Sequence, residues 1–89
     1  MTLLVKNKVK DVAIWKEVFA AQTASTEETG MKLTNMWQSV DQPDQVFFTF
    51  EVENREKAEA YMAKPESAEV GITAGVIDGE FHFLDSMDI

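Results

Sequence analysis

The stretch that most constrains this chain is Gln45–Val52, whose centre reads Val46-Phe47-Phe48-Thr49-Phe50. Successive side chains on a strand point to opposite faces, so Val46, Phe48, Phe50 and Val52 share one side. Phe47, Thr49 and Glu51 share the other. Phenylalanine on both sides of one pleat is the pattern of a central strand covered on both faces. Eighty-nine residues make a single domain, 1–89, with helices enough for only one of those faces. A second copy of the molecule is therefore expected to cover the other.

The flanking sequence fills in the remaining elements. Thr2–Val9 alternates Leu3, Val5, Asn7 and Val9 against Leu4, Lys6 and Lys8, which predicts a first strand. Asp11 is placed to cap a helix starting at Val12, with Val12, Trp15, Val18, Phe19 and Ala20 as its apolar stripe. That helix is expected to reach Thr29 and close at Gly30. Ser25 and Glu28 have capping-box spacing and offer an earlier break. Lys32–Val40 predicts a second strand, with Leu33, Asn35, Trp37 and Ser39 opposite Thr34, Met36, Gln38 and Val40.

Asp41-Gln42-Pro43-Asp44 has turn chemistry, with aspartates to accept from nearby amides, and leads into the central strand. Asn54 caps a second helix with Ala58, Tyr61 and Met62 inward. Pro65 ends that helix and starts another, whose apolar side runs Ala68, Ile72 and Val76, with Gly75 as terminator. Gly79 predicts a turn. Glu80–Asp85 predicts the last strand, with Phe81 and Phe83 opposite His82 and Leu84.

Strand, helix, strand, strand, helix, strand predicts a ferredoxin-like α+β fold. It is a four-stranded antiparallel sheet in the order 4-1-3-2 with the helices on one face. The helix side should hold Val5, Phe48 and Phe50 with Phe81 or Phe83. The bare side should carry Leu4, Phe47, Thr49, Glu51, His82 and Leu84, joined by Lys6 and Met36. An apolar patch of that size seeks cover, so these residues are the expected dimer interface, closing two sheets into a β-barrel.

Composition narrows the function classes. Cysteine is absent, which excludes disulfides, thiolate metal sites and a cysteine nucleophile. Sixteen acidic against eight basic side chains give a net charge of −8, unsuited to nucleic acid or an anionic membrane surface. Lys6, Lys8 and Lys10 alternate along a strand and read as a solvated end. No apolar run approaches a membrane span, and Met1–Val5 is too short for a secretory signal. A cytoplasmic location is expected. One histidine and scattered carboxylates show no metal-ligand spacing, and four isolated glycines cradle no phosphate.

Several local features point to one family. They are Trp15-Lys16 and Val18-Phe19, Trp37, Asp41-x-Pro43-Asp44-x-Val46, Phe50-Glu51-Val52, Ala58-x-x-Tyr61, Pro65-Glu66, Ala74-Gly75-Val76 and Leu84-Asp85. With them the chain resembles, over nearly its whole length, the dimeric α+β barrel superfamily. That superfamily includes the antibiotic-biosynthesis-type monooxygenases, haem-degrading enzymes and muconolactone-isomerase-like enzymes. The similarity is closest to small bacterial cyclase-like members. The shared features specify a fold and none is a catalytic signature.

The resemblance implies a homodimer and a functional asparagine at Asn7, where haem-degrading and quinone-forming relatives carry one in the first strand. It also implies chemistry without a cofactor on an electron-rich substrate. Haem-degrading relatives carry a tryptophan and an axial histidine in the second helical region. Tyr61 stands at the first of these positions and the second falls near Gly71. Glycine cannot ligate iron, so haem degradation is not expected, and no cofactor is implied.

The candidate catalytic residues are Asn7, Tyr61 and His82. A polar amide among Leu3, Val5 and Val9 either meets a ligand or satisfies local backbone. His82 could enter the barrel as a general base with Glu51 as companion, or simply hydrogen-bond in a wet interface. Asn7, Trp15, Trp37, Phe50, Tyr61 and Phe83 are the candidate walls of an apolar ligand pocket; the alternative is that the aromatics only fill the core. The function expected is a small homodimer that binds, and transforms without a cofactor, a small apolar or aromatic molecule. A non-catalytic ligand-binding or structural, stress-associated dimer module is the alternative.

Overall fold

The computed structural model describes residues 1–22 and 27–88. Its elements run β1 (Thr2–Val9), α1 (Val12–Ala21), β2 (Met31–Gln38), β3 (Gln45–Val52), α2 (Arg55–Ala63), α3 (Pro65–Thr73) and β4 (Val76–Leu84). All pairings are antiparallel and the sheet order is β2-β3-β1-β4, so the aromatic strand is internal, as its two apolar faces require. This is the ferredoxin-like arrangement, the expected order counted from the other edge.

Local chemistry explains the element boundaries. The Asp11 carboxylate accepts from the amides of Ala13 at 2.9 Å and Ile14 at 3.2 Å, satisfying two of the free donors that open α1. Asn54 does the same for Lys57 at 3.1 Å. Pro65 occupies the first turn of α3, where its missing N–H costs nothing. Gly30 and Gly75 have φ of +77° and +78°, the left-handed conformation that lets the chain leave a helix and enter β2 or β4.

The core lies between sheet and helices. Leu3, Val46, Phe48, Phe50 and Val52 are buried beneath Trp15 and Ala58. Trp15 stacks on Phe19 at 5.0 Å between centroids, and Phe19 meets Phe48 edge-on at 4.8 Å. These ring contacts dock α1 onto β3, and ring pairs add about 0.5–1.5 kcal/mol each beyond area burial.

Five expectations need correction. First, α1 ends at Ala21, closed by the Gln22 amide on Phe19 and Ala20, and does not reach Thr29. The capping-box reading involves Ser25, which lies outside the described residues. Second, strict alternation fails in β2. The register shifts between Leu33 and Asn35, so Leu33 opposes Phe50, Asn35 opposes Thr49, Met36 opposes Phe48 and Trp37 opposes Phe47. The extra residue is Thr34, whose hydroxyl meets the Thr49 hydroxyl at 2.7 Å and donates to its carbonyl at 3.1 Å. This bulge puts Met36 on the helix side and Trp37 on the bare side, the reverse of the sequence parity.

Third, Gly79 is not a turn. It lies inside β4 opposite Asn7, because β4 begins at Val76. Fourth, Ile72 is exposed on α3, whose inward side is instead Val70 and Ala74. Fifth, in the β2–β3 turn it is the Ser39 hydroxyl that accepts from the Gln42 amide at 3.1 Å, while the Asp44 carboxylate faces Lys8.

Candidate functional site

Between sheet and helices the packing is incomplete. A cleft of about 310 Å³ lies over β1 and β3, floored by Leu3, Val5, Phe48 and Phe50. Trp15 and Phe19 of α1 form one wall, and Tyr61, Met62, Ser67, Val70 and Gly71 of α2 and α3 the other. The gap follows from helix composition: α3 turns small groups, Ser67, Ala68, Gly71 and Ala74, toward the cleft where bulky ones would close it. Small-molecule pockets span roughly 300–1,000 Å³, so the cleft suits a small ligand.

Four polar residues interrupt the apolar lining: Asn7, Gln22, Tyr61 and Ser67. The Ser67 hydroxyl donates to the Tyr61 carbonyl at 2.6 Å and fixes the start of α3 against the end of α2. Among the described residues neither the Asn7 amide nor the Tyr61 hydroxyl has a protein hydrogen-bond partner, which leaves both for a ligand. Burial raises the Tyr61 pKa above 10.0, so at neutral pH it is a protonated donor. Gln22, Tyr61, Ser67 and Val70 also border a second, more polar hollow with Glu28, Lys64 and Glu66.

The sequence candidates separate accordingly. Asn7, Trp15, Phe50 and Tyr61 come together at the cleft. Trp37 does not, because the Thr34 bulge turns it to the bare face, where it is 51% exposed. Phe83 does not either. It lies at the other end of β4, edge-on to Phe81 at 6.0 Å and under the Arg55 guanidinium at 4.7 Å. Sequence reasoning missed Phe19, Met31, Met62 and Val70 as lining groups; their helical or strand spacing marks them as inward but gives no sign of empty space beside them.

His82 lies on the opposite side of the sheet, opposite Leu4. Its partner is Glu80, not Glu51: Nε2 donates to the Glu80 carboxylate at 3.1 Å, two residues along the same face. Glu80 also sits 3.6 Å from the Lys6 ammonium. The His82 hydrogen bond, then the Lys6 charge, lowers the Glu80 pKa. Glu51 instead meets the Met1 ammonium at 3.0 Å. Leu4, Phe47, Thr49, Glu51, His82 and Leu84 all share this helix-free face, as the register requires.

Among the described residues no group of three or more His, Cys, Asp or Glu could hold a metal ion. The cleft does not fit a haem. Gly71 offers no ligand, His82 is on the far face, and burial disfavours the Tyr61 phenolate that could bind iron.

Solved structures of the same architecture span nearly the whole chain. A protein from Bordetella bronchiseptica, proposed to be an antibiotic biosynthesis monooxygenase, superposes with a TM-score of 0.80 at 10% identity, covering 97% of this chain and 95% of its own. A second such proposed monooxygenase, from Deinococcus radiodurans, gives 0.67 at 13% identity over 100% and 98%. The chain shares their fold. A NIPSNAP domain protein of undetermined function from Burkholderia xenovorans gives 0.67 at 12% identity over 97% and 93%. No protein-family model and no curated protein matches the sequence. Among the described residues no helix is long and apolar enough to cross a membrane.

Proposed function

We propose that this chain binds a small apolar or aromatic molecule in the cleft and works as a homodimer joined through the bare sheet face. The observation carrying the first part is the cleft itself, apolar walls with two unpartnered polar groups, Asn7 and Tyr61. Apolar burial supplies affinity and the two polar groups orient the ligand. The dimer reading rests on the bare face, where Trp37 and Leu84 are largely exposed beside half-buried Leu4 and Phe47. Light scattering is expected to return twice the 10.0 kDa chain mass. A monomer at micromolar concentration would overturn it.

The monooxygenase descriptions of the fold neighbours support a further step, cofactor-free oxidation of an electron-rich phenol to a quinone. Dioxygen is the oxidant; one oxygen atom enters the ring and the other leaves as water. Here the chain's residues bind the ring, exclude water and hold the phenolic oxygen between the Asn7 amide and the Tyr61 hydroxyl. One feature favours a second reading, a binding module without turnover. Among the described residues Tyr61 is the only titratable group lining the cleft.

Titration calorimetry with naphthol, followed by oxygen uptake, tests both. Saturable binding, weakened about tenfold by Asn7→Ala, is expected from the loss of one hydrogen bond. Oxygen uptake above the protein-free rate supports oxidation, and binding without uptake supports the module. Absence of binding rejects the cleft as the site.

A further inference from the structure

We infer that Gly79 is a positioning residue for Asn7, its missing side chain being the space in which the Asn7 amide is held. The inference rests on the reading of the cleft as a binding site and adds to it a residue on a different strand. Gly79 lies in the interior of β4, directly opposite Asn7 of β1. Glycine weakens a strand interior, both by entropy and by packing nothing, so its presence there marks a close approach. That approach is visible. A Cβ at position 79 would lie 2.8 Å from Asn7 Oδ1, inside any tolerated contact, and the next nearest atom, the Lys6 carbonyl oxygen, is at an ordinary 3.5 Å. The φ of Gly79 is not positive, so backbone strain does not demand glycine. The demand comes from the amide oxygen alone.

The rest of the surroundings agree. The Gly79 N–H donates to the Asp78 carboxylate at 2.9 Å, which leaves the Asn7 amide without a partner in β4. Asn7 borders the cleft and finds no protein hydrogen-bond partner among the described residues, so only packing keeps it in place. Any side chain at 79 must displace the amide oxygen from its present place at the edge of the cleft. Gly79 thus sets where the polar contact of the cleft sits.

The test is a double-mutant cycle on the full chain. Naphthol affinity is measured by calorimetry for the wild type, Gly79→Ala, Asn7→Ala and the double variant. Gly79→Ala is expected to weaken binding roughly five- to tenfold, and to have no further effect once Asn7 is alanine. Equal loss in both backgrounds, or wild-type affinity in Gly79→Ala, would overturn the inference.

A second readout needs no ligand. The Asn7 side-chain amide gives a pair of NMR signals identified by their loss in Asn7→Ala. Gly79→Ala should shift that pair while leaving the Gln22 side-chain pair in place. If the wild type does not bind naphthol, the cleft reading fails and this shift alone decides the role of Gly79; an unmoved Asn7 pair rejects it.

Discussion

Tyr61 shows how much one side chain gains from its surroundings here. It packs against the core and borders both hollows, and burial penalises the phenolate. A folded pKa above the unfolded value makes a contribution that is complete below pH 10.0 and is lost as pH rises through the folded pKa. Tyr61 is the single tyrosine of the sequence, so phenolate absorbance reports it alone and should titrate later in native than in urea-unfolded protein. Coincident curves would mean that the phenol is hydrated. The two tryptophans make a sharper contrast. Trp15, only 2% exposed, joins α1 to β3, and its replacement by alanine should cost about 3–5 kcal/mol in urea unfolding. Trp37→Ala, on the helix-free side, should cost far less in a dilute monomer.

At the scale of elements, β1 and β3 were readable to the residue because their alternation is uninterrupted. The caps at Asp11 and Asn54 and the break at Pro65 were readable because each is a local act of hydrogen bonding or its loss. The Thr34 bulge was not. Alternation is counted by parity along one strand, whereas the bulge is fixed by Thr49 on the neighbouring strand. Gly79 misled for the same reason: in isolation a glycine signals a turn, and only the register shows Asn7 opposite it. Four of the six residues expected at the pocket do line the cleft, since Asn7, Trp15, Phe50 and Tyr61 lie on regular elements. Thr34→Val keeps the shape of the side chain and removes its hydroxyl. It is expected to cost about 1–2 kcal/mol by thermal unfolding, since Thr49 loses its partner in a buried setting. A neutral substitution would show that the bulge is held by packing instead.

For the whole molecule, charge and shape act in opposite directions. Each copy carries −8, so two copies repel, while the bare sheet offers apolar surface to bury. Salt shortens the reach of the repulsion to about 8 Å at physiological strength and leaves the apolar contact intact. Self-association should accordingly tighten as salt is raised, as sedimentation at a series of concentrations would show; weakening with salt would assign the contact to ion pairs between copies. Phe47→Asp should separate the copies while circular dichroism stays native, because Phe47 is outside the buried core.

The Thr34 bulge has one consequence beyond its own strand. Deleting that single residue would straighten β2 and leave its distal side chains on their present faces, whereas pairing Thr34 in regular alternation would send the indole of Trp37 under the helices and the thioether of Met36 into the open. Whether Thr34 bulges or pairs thus decides which compartment of the molecule receives this chromophore, and the emission colour of residue 37 would report a slip in register directly.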